Sequence, residues 1–202
     1  MKLKTVDLFC GCGGMSLGFQ NESFEIVGAY DNWKPAVEIY KKNFKHPIFE
    51  MDLYSNEAME NIRNLNPEVI IGGPPCPDFS VAGKNEGETG VNGQLTSVYV
   101  DLIVCREPDF FVFENVKGLY RTQKHREFYE KLKGRLEKSG YVLFDAVENA
   151  IEYGAPQYRE RLFLIGFRKK VFGNQIDYKI GSNHKYNLND INRCSWPSTV
   201  PF

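Results

Sequence analysis

The stretch "GGPPCPDFS", residues 72–80, sets Cys76 behind two glycines and two prolines, directly after the apolar run "VII". A thiol is a nucleophile only as the thiolate, and only where its surroundings help. Prolines on both sides fix the backbone, so a sulfur here would be held at one angle. A buried, inert cysteine is the plain alternative. Against it stands the setting, because neither glycine nor proline is there to fill a core. The three histidines, His46, His125 and His184, lie in polar stretches and offer no obvious base, so a Cys–His hydrolase fits poorly.

Three further constellations carry chemistry. In "DLFCGCGG", residues 7–14, an apolar run ends in Gly11, Gly13 and Gly14, where the backbone can approach a ligand. Ser16 stands where a G-x-G-x-x-G fingerprint needs its last glycine, which argues against a standard dinucleotide site. Asp31 follows Gly11 by 20 residues, at the end of the next apolar run, where a carboxylate can accept from ribose hydroxyls. Together these suggest a nucleoside cofactor without a pyrophosphate; a plain strand–helix turn with a capping aspartate is the alternative. "CGC" lacks a matching Cys or His pair at zinc spacing. Glu114, at the end of "FFVF", should be partly desolvated, with its pKa raised. Arg159 and Arg161 in "PQYRER" fall on one face of an extended segment and suit a phosphate or a carboxylate.

These residues need elements to position them. "TVDLF", "EIVGAYD", "PIFEMDL", "EVIIGG" and "DFFVFENV" read as strands. "GGMSLGFQN", "KPAVEIYKKNF" and "HREFYEKLKGRLEKSG" read as helices, with Ala36, Ile39, Tyr40 and Phe44 on one face of the second. "YVLFDAVE" and "RLFLIGF" close the series as a hairpin around "YGAPQYR". Alternating β and α predicts an α/β fold with a mainly parallel sheet. Ligands in such sheets bind outside the carboxyl ends of the strands. The segment 11–14, Asp31, Cys76 and Glu114 all lie just after predicted strands, so one crevice can gather them. Residues 85–96, "NEGETGVNGQLT", read as a long mobile loop suited to a lid. Beyond Phe167 the periodicity fades, and 169–202 read as irregular.

The chain has 202 residues, 42% hydrophobic and 25% charged, with a formal net charge of −1. That is long enough for one domain with its own core. Near neutrality excludes a globally basic nucleic-acid binder, so any such contact is local or is shared with another polypeptide. No apolar run approaches a membrane span, and the N-terminus lacks the apolar core of a signal peptide. An odd set of five cysteines suggests no disulfide framework. The chain reads as cytosolic, in the bacterial cytoplasm or at the nucleoid.

The order of the motifs is more specific than any one of them. "DLFCGCGGMSLGF", "YDNWKPAVEIYKKNF", "MDL", "GGPPCPDFS", "FENVKG" and "YGAPQYRERLFLIGF" follow one another as in the DNA (cytosine-5) methyltransferases, and the resemblance runs from residue 5 to about 168. It implies the Rossmann-like S-adenosylmethionine-dependent methyltransferase fold, with an antiparallel hairpin at one end of a mostly parallel sheet. It implies S-adenosylmethionine as cofactor, with no metal. Phe9 would lie beside the adenine, Gly11, Gly13 and Gly14 around the methionine end, and Asp31 on the ribose, with Asn32 next to it. Asp52 would bond the adenine amino group beside Leu53, and Pro74 and Leu95 would complete the pocket.

The resemblance makes Cys76 the nucleophile that adds to cytosine C6, turning C5 into an enamine-like carbon. Glu114 would protonate or hydrogen-bond N3, and Arg161, with Arg159 near it, would contact the base. The target base must be flipped out of double-stranded DNA. Pro77 replaces the glutamine more usual after the cysteine. Family members continue into a recognition region and a last motif that returns to the sheet. The expectation is therefore a catalytic and cofactor-binding domain over 1–168, with 169–202 leading toward recognition residues supplied by a second polypeptide. The same chemistry on tRNA, or an inactive module that binds DNA or a partner, are the alternatives.

Overall fold

The computed structural model describes residues 2–20, 24–75, 91–120 and 123–181. Among these residues seven strands form one sheet: β1 (Leu3–Leu8), β2 (Phe24–Asp31), β3 (Ile48–Glu50), β4 (Val69–Gly72), β5 (Phe110–Val116), β6 (Tyr141–Asn149) and β7 (Glu160–Arg168). Their order is β3-β2-β1-β4-β5-β7-β6. β1 to β5 pair in parallel, while β7 runs antiparallel to both β5 and β6. The predicted α/β fold with its terminal hairpin is present, and β7 inserts between β5 and β6. Strand order reverses between β1 and β4, which opens a crevice at the carboxyl edge there.

Helices α1 (Gly14–Gln20) and α2 (Lys34–Asn43) cover one face. Met15 and Phe19 of α1 pack on Ile26, Val69 and Ile71, and Tyr40 of α2 packs on Ala29. Helices α3 (Asn56–Leu65), α4 (Val91–Arg106) and α5 (Gln123–Lys138) cover the other. There Ile62, Tyr99, Leu102, Phe128 and Leu132 close over Val6, Leu8, Ile70, Phe111 and Leu164. The central strands are apolar on both faces because both are covered. A short helix, α6 (Lys169–Phe172), follows β7. No helix among the described residues is long and apolar enough to cross a membrane.

Several expectations change. The sequence reading names no helix over 56–65, yet Ser55 caps α3 by accepting from the Ala58 amide at 3.1 Å, a standard N-terminal device. The glycine-rich stretch 85–96 is not all loop, since α4 starts at Val91; residues 76–90 lie outside the described ones. Gly93 and its polar neighbours mask an apolar helix that repeats all round rather than on one stripe. On α2 the buried face is Ala36, Val37 and Tyr40, and Ile39 is 43% exposed. β3 is only three residues long, so Asp52 lies in the turn after it. Glu114 lies inside β5, two residues before its end, rather than after it. The segment after Phe167 is not wholly irregular. Besides α6, Tyr178 packs on Phe144 and Phe167, and Ile180 packs against the sheet cluster.

Gly72 marks a tight approach to neighbouring backbone in the sheet. A Cβ there would sit 2.4 Å from the Leu8 carbonyl oxygen and 2.8 Å from the Tyr99 ring. Gly134, inside α5, would meet nothing within 4 Å. Gly72→Ala should therefore destabilise the fold by roughly 1–3 kcal/mol, whereas Gly134→Ala should stabilise it by about 0.5–1 kcal/mol. Denaturant midpoints of the two variants check this, and a neutral Gly72→Ala would contradict the packing described.

Candidate active site

Because β1 to β5 are parallel, their carboxyl ends share one edge of the sheet. β7 is antiparallel, so its beginning lies at that same edge, with Arg161 opposite Val116 and Phe163 opposite Glu114. The topology thereby gathers Phe9, the glycine turn, Asp31, Asp52, Pro74, Glu114, Arg159 and Arg161, which are scattered over 150 residues of sequence. Leu95, in the early turns of α4, is partly buried. Cys76 lies one residue beyond the described chain, which reaches Pro75 on the same edge.

The glycine turn is held open by its neighbours. Phe9 (φ 57°), Gly11 (φ 54°) and Gly13 (φ 92°) all have left-handed backbone. For Gly13 this is needed twice over, because a Cβ would also lie 2.2 Å from the Phe44 ring. Among the described residues, a Cβ on Gly11 or Gly14 would meet nothing within 4 Å. At those two positions bare backbone faces free space, as close approach of a ligand requires. Asp31 secures the turn: its Oδ2 accepts from the Gly11 amide at 2.9 Å and its Oδ1 from the Trp33 amide at 2.8 Å. Asp31 thus ties the turn without capping α2, whose N-cap residue is Trp33 with no side-chain capping bond, and this does not preclude a cofactor role. A carboxylate has about four acceptor sites, so Asp31 can also receive hydroxyls. Asn32 is exposed beside it. Asp52 is exposed and accepts from the Tyr54 amide at 3.0 Å, while Leu53 is buried in the main core.

The turn after β4 is tied to β5. Asn115 Nδ2 donates to the carbonyl of Pro74, which is itself buried, at 3.4 Å. A Cβ on Gly73 would stand 3.0 Å from Glu114 Oε2. The glycine therefore leaves room for the carboxyl, and the residues leading to Cys76 run alongside it. Sequence reasoning missed Asn115 and Gly73 as positioning residues, although both lie inside motifs it singles out.

Arg161 Nε donates to Glu114 Oε1 at 2.9 Å, with both side chains about one fifth exposed. Arg161 Nη1 donates to the Glu160 carbonyl at 2.8 Å. Burial pushes the Glu114 carboxyl above the usual range, against the opposing pull of Arg161 and Arg159. Burial likewise lowers Arg161, with Arg159 adding repulsion. Asn149, which the sequence reading passed over, accepts from the Arg159 amide at 3.0 Å and so fixes the approach to β7. Lys117 Nζ, 2.7 Å from Glu160 Oε1, pins the same corner to the end of β5. A cavity of about 480 Å³ opens beside the pair, lined by Glu114, Arg159, Arg161, Tyr153 and Phe163 among others. It has room to admit a planar ring together with part of whatever the ring is attached to.

The family model for C-5 cytosine-specific DNA methylase matches residues 3–195. The chain belongs to this family. It is 47% identical to the Type II methyltransferase M.NmeDI of Neisseria meningitidis serogroup C, over 95% of this chain and 50% of that protein. It is 44% identical to the Type II methyltransferase M.HgiDI of Herpetosiphon aurantiacus, over 82% of this chain and 52% of the relative. Among solved structures, a protein encoded within an E. coli prophage and assigned as a DNA modification methyltransferase superposes with a TM-score of 0.74. It is 28% identical and covers 88% of this chain and 49% of its own. The chain thus spans about half the length of each of these three proteins. Membership in the cytosine methylase family implies S-adenosylmethionine as methyl donor, and the open glycine turn beside Asp31 fits it.

The pair makes a prediction about pH. A carboxyl raised by folding contributes stability that is complete below the ordinary glutamate range and is lost as pH rises through the folded value. Removing Arg161 should raise Glu114 further. Arg161→Met should therefore cost about 2 kcal/mol at pH 8, and the loss should shrink as the pH falls and Glu114 takes up its proton. Chemical unfolding at pH 5 and pH 8 checks this; a loss that grows toward acid would contradict the pairing.

Proposed function

We propose that this chain carries the catalytic and cofactor-binding part of a DNA cytosine-5 methyltransferase of a restriction–modification system, over residues 1–168. The observation that carries the reading is the Glu114–Arg161 pair. It lies at the strand edge that also holds the open glycine turn, and it faces a cavity with room to admit a base.

Phe9, Gly11, Gly13, Gly14, Asp31, Asn32, Asp52, Leu53, Pro74 and Leu95 would hold S-adenosylmethionine, which supplies a methyl group made electrophilic by its sulfonium. The thiolate of Cys76 forms a bond to C6 of a flipped cytosine. Electrons displaced from the C5–C6 double bond move toward N3, where the Glu114 carboxyl gives up its proton. Burial favours the neutral acid before this step, and Arg161 stabilises the carboxylate after it. The guanidinium has Nε on Glu114 and Nη1 on a carbonyl, which leaves donors for the base, with Arg159 beside it. C5 would then be nucleophilic toward the sulfonium methyl, whose bond to sulfur breaks and leaves the thioether S-adenosylhomocysteine. Transfer of the C5 proton to water and departure of the thiolate from C6 would restore the ring, and N3 returns its proton to Glu114. Orienting the reacting atoms in this way can supply several kcal/mol of the barrier, up to about 7–11 in favourable intramolecular cases.

Double-stranded DNA is the proposed substrate. Reading of its sequence is assigned to parts of the relatives' length that this chain does not span, supplied by a second polypeptide or by further residues of the same protein. The net charge of −1 is consistent with much of the phosphate contact lying there.

Cys76→Ala should abolish transfer of labelled methyl to DNA while leaving S-adenosylhomocysteine affinity within about twofold, a change well under 1 kcal/mol. Loss of cofactor binding together with transfer would make Cys76 structural. Glu114→Gln should slow transfer by roughly 10²–10⁴-fold and flatten the pH–rate profile on its alkaline side. An unchanged profile would remove the proton role.

A further inference from the structure

The motif at the glycine turn contains a residue that cofactor contact does not explain. Ser16 occupies the place of the missing third glycine, and it is fully buried. Its amide donates to Asp7 Oδ2 at 3.1 Å and its hydroxyl donates to the same oxygen at 2.6 Å. Tyr40 Oη donates to Ser16 Oγ at 2.8 Å and lies 3.0 Å from His46 Nδ1. Tyr40 has one hydroxyl proton, and it goes to Ser16. At the His46 contact the tyrosine oxygen must therefore accept, which places a hydrogen on Nδ1. The result is a one-way chain, from His46 through Tyr40 and Ser16 to Asp7. It crosses from the loop after α2, through α2 and α1, to β1.

Two ends of this chain are unfinished. Asp7 is 1% exposed, and among the described residues its Oδ1 is buried without a partner, as is Nε2 of His46. A buried carboxylate in mid-strand is costly to the fold unless donors converge on it. Here the donors come from the helix that opens with the glycine turn.

We propose that Asp7, acting through Ser16, is a positioning residue for the cofactor turn, and that Tyr40 and His46 polarise the pair from the α2 side. Ser16 lies two residues past Gly14, and its amide and hydroxyl are the hold that β1 has on the start of α1. If that hold weakens, α1 is free to shift, and residues 11–14 shift with it. Among the described residues the titratable groups that face Asp7 are Cys10 of the turn, Asp31 of β2, Tyr40 of α2 and Tyr99 of α4, and none of these is a cation. Burial, reinforced by Asp31, pushes Asp7 up to about 7 despite the two bonds from Ser16. Its ionised form, which grips Ser16 more strongly, is therefore the form that takes over as pH rises through neutrality.

This inference rests on the turn being the cofactor site, so the test separates the two. Amide exchange in the ligand-free chain and calorimetric binding of S-adenosylhomocysteine are measured for the wild type, Asp7→Asn, Ser16→Ala and Tyr40→Phe, from pH 6 to pH 8. Asp7→Asn keeps the shape and one acceptor, so it remains informative even if Ser16→Ala folds poorly. Faster exchange confined to amides 11–17 is expected in Ser16→Ala and in Asp7→Asn at pH 8. Affinity should fall roughly tenfold in Ser16→Ala and less in Tyr40→Phe. Wild-type affinity should rise between pH 6 and pH 8, and Asp7→Asn should be flat. Unchanged exchange at the turn, or exchange raised evenly over the whole sheet, would overturn the positioning role. A wild type that binds no S-adenosylhomocysteine but shows the predicted exchange pattern would overturn the cofactor reading alone.

Discussion

Glu114, a carboxyl group set inside β5, is answered by a cation, Arg161 from the neighbouring strand. That pairing requires β7 to lie directly against β5 and to run the other way, so that its first residues meet the last residues of β5. A parallel strand in that place would present its carboxyl end instead, and Arg159 and Arg161 would lie at the far edge. The antiparallel insertion is thus what brings a proton-holding acid and two guanidiniums to the edge where the parallel strands already end. The corner is fixed by Asn149, which bonds the Arg159 amide, and by Lys117, which pairs with Glu160.

The other half of the site depends on close approach. Gly13 turns under the Phe44 ring, Gly72 lies against the Leu8 carbonyl and Gly73 lies against the Glu114 carboxyl. Each glycine is required by a different neighbour, and together they bring β1, β4 and β5 to a common rim. Asp31 then closes the turn from β2 with two amide hydrogen bonds. The site is therefore assembled from backbone held at short range, with few side chains reaching across open space.

Much of this was legible in the sequence, for identifiable reasons. β1, β2, β4 and β5 are short apolar runs ended by Gly, Asp or Asn, and such runs declare strands. The raised Glu114 followed from an acid set in "FFVF". The pairing of Arg161 with that acid did not follow, because it depends on which strand neighbours β5, and no local pattern encodes that. α3 and α4 were missed for opposite reasons. α3 is polar enough to pass for a connection, and α4 begins in glycine and asparagine, so its apolar body is disguised at the start. Ile39 illustrates the limit of periodicity, since a helical face about 100° wide cannot tell Ile39 from Val37 without knowing where the sheet lies. Asp7 carried a signal that a stricter reading would have used: a carboxylate between apolar residues in mid-strand needs a donor, and Ser16 is nearby in sequence.

The central claim is that one edge of the sheet, defined by the carboxyl ends of β1 to β5 and the start of β7, holds both cofactor and base. Backbone amide shift mapping with S-adenosylhomocysteine and then with a cytosine-containing oligonucleotide tests it most directly. The account predicts that the cofactor moves Gly11, Gly13, Gly14, Asp31, Asn32 and Asp52, and that the oligonucleotide adds Glu114, Asn115 and Arg161. Shifts centred on Lys4, Glu68 and Asp109 at the opposite edge, or confined to the groove between β6 and residues 178–181, would contradict it.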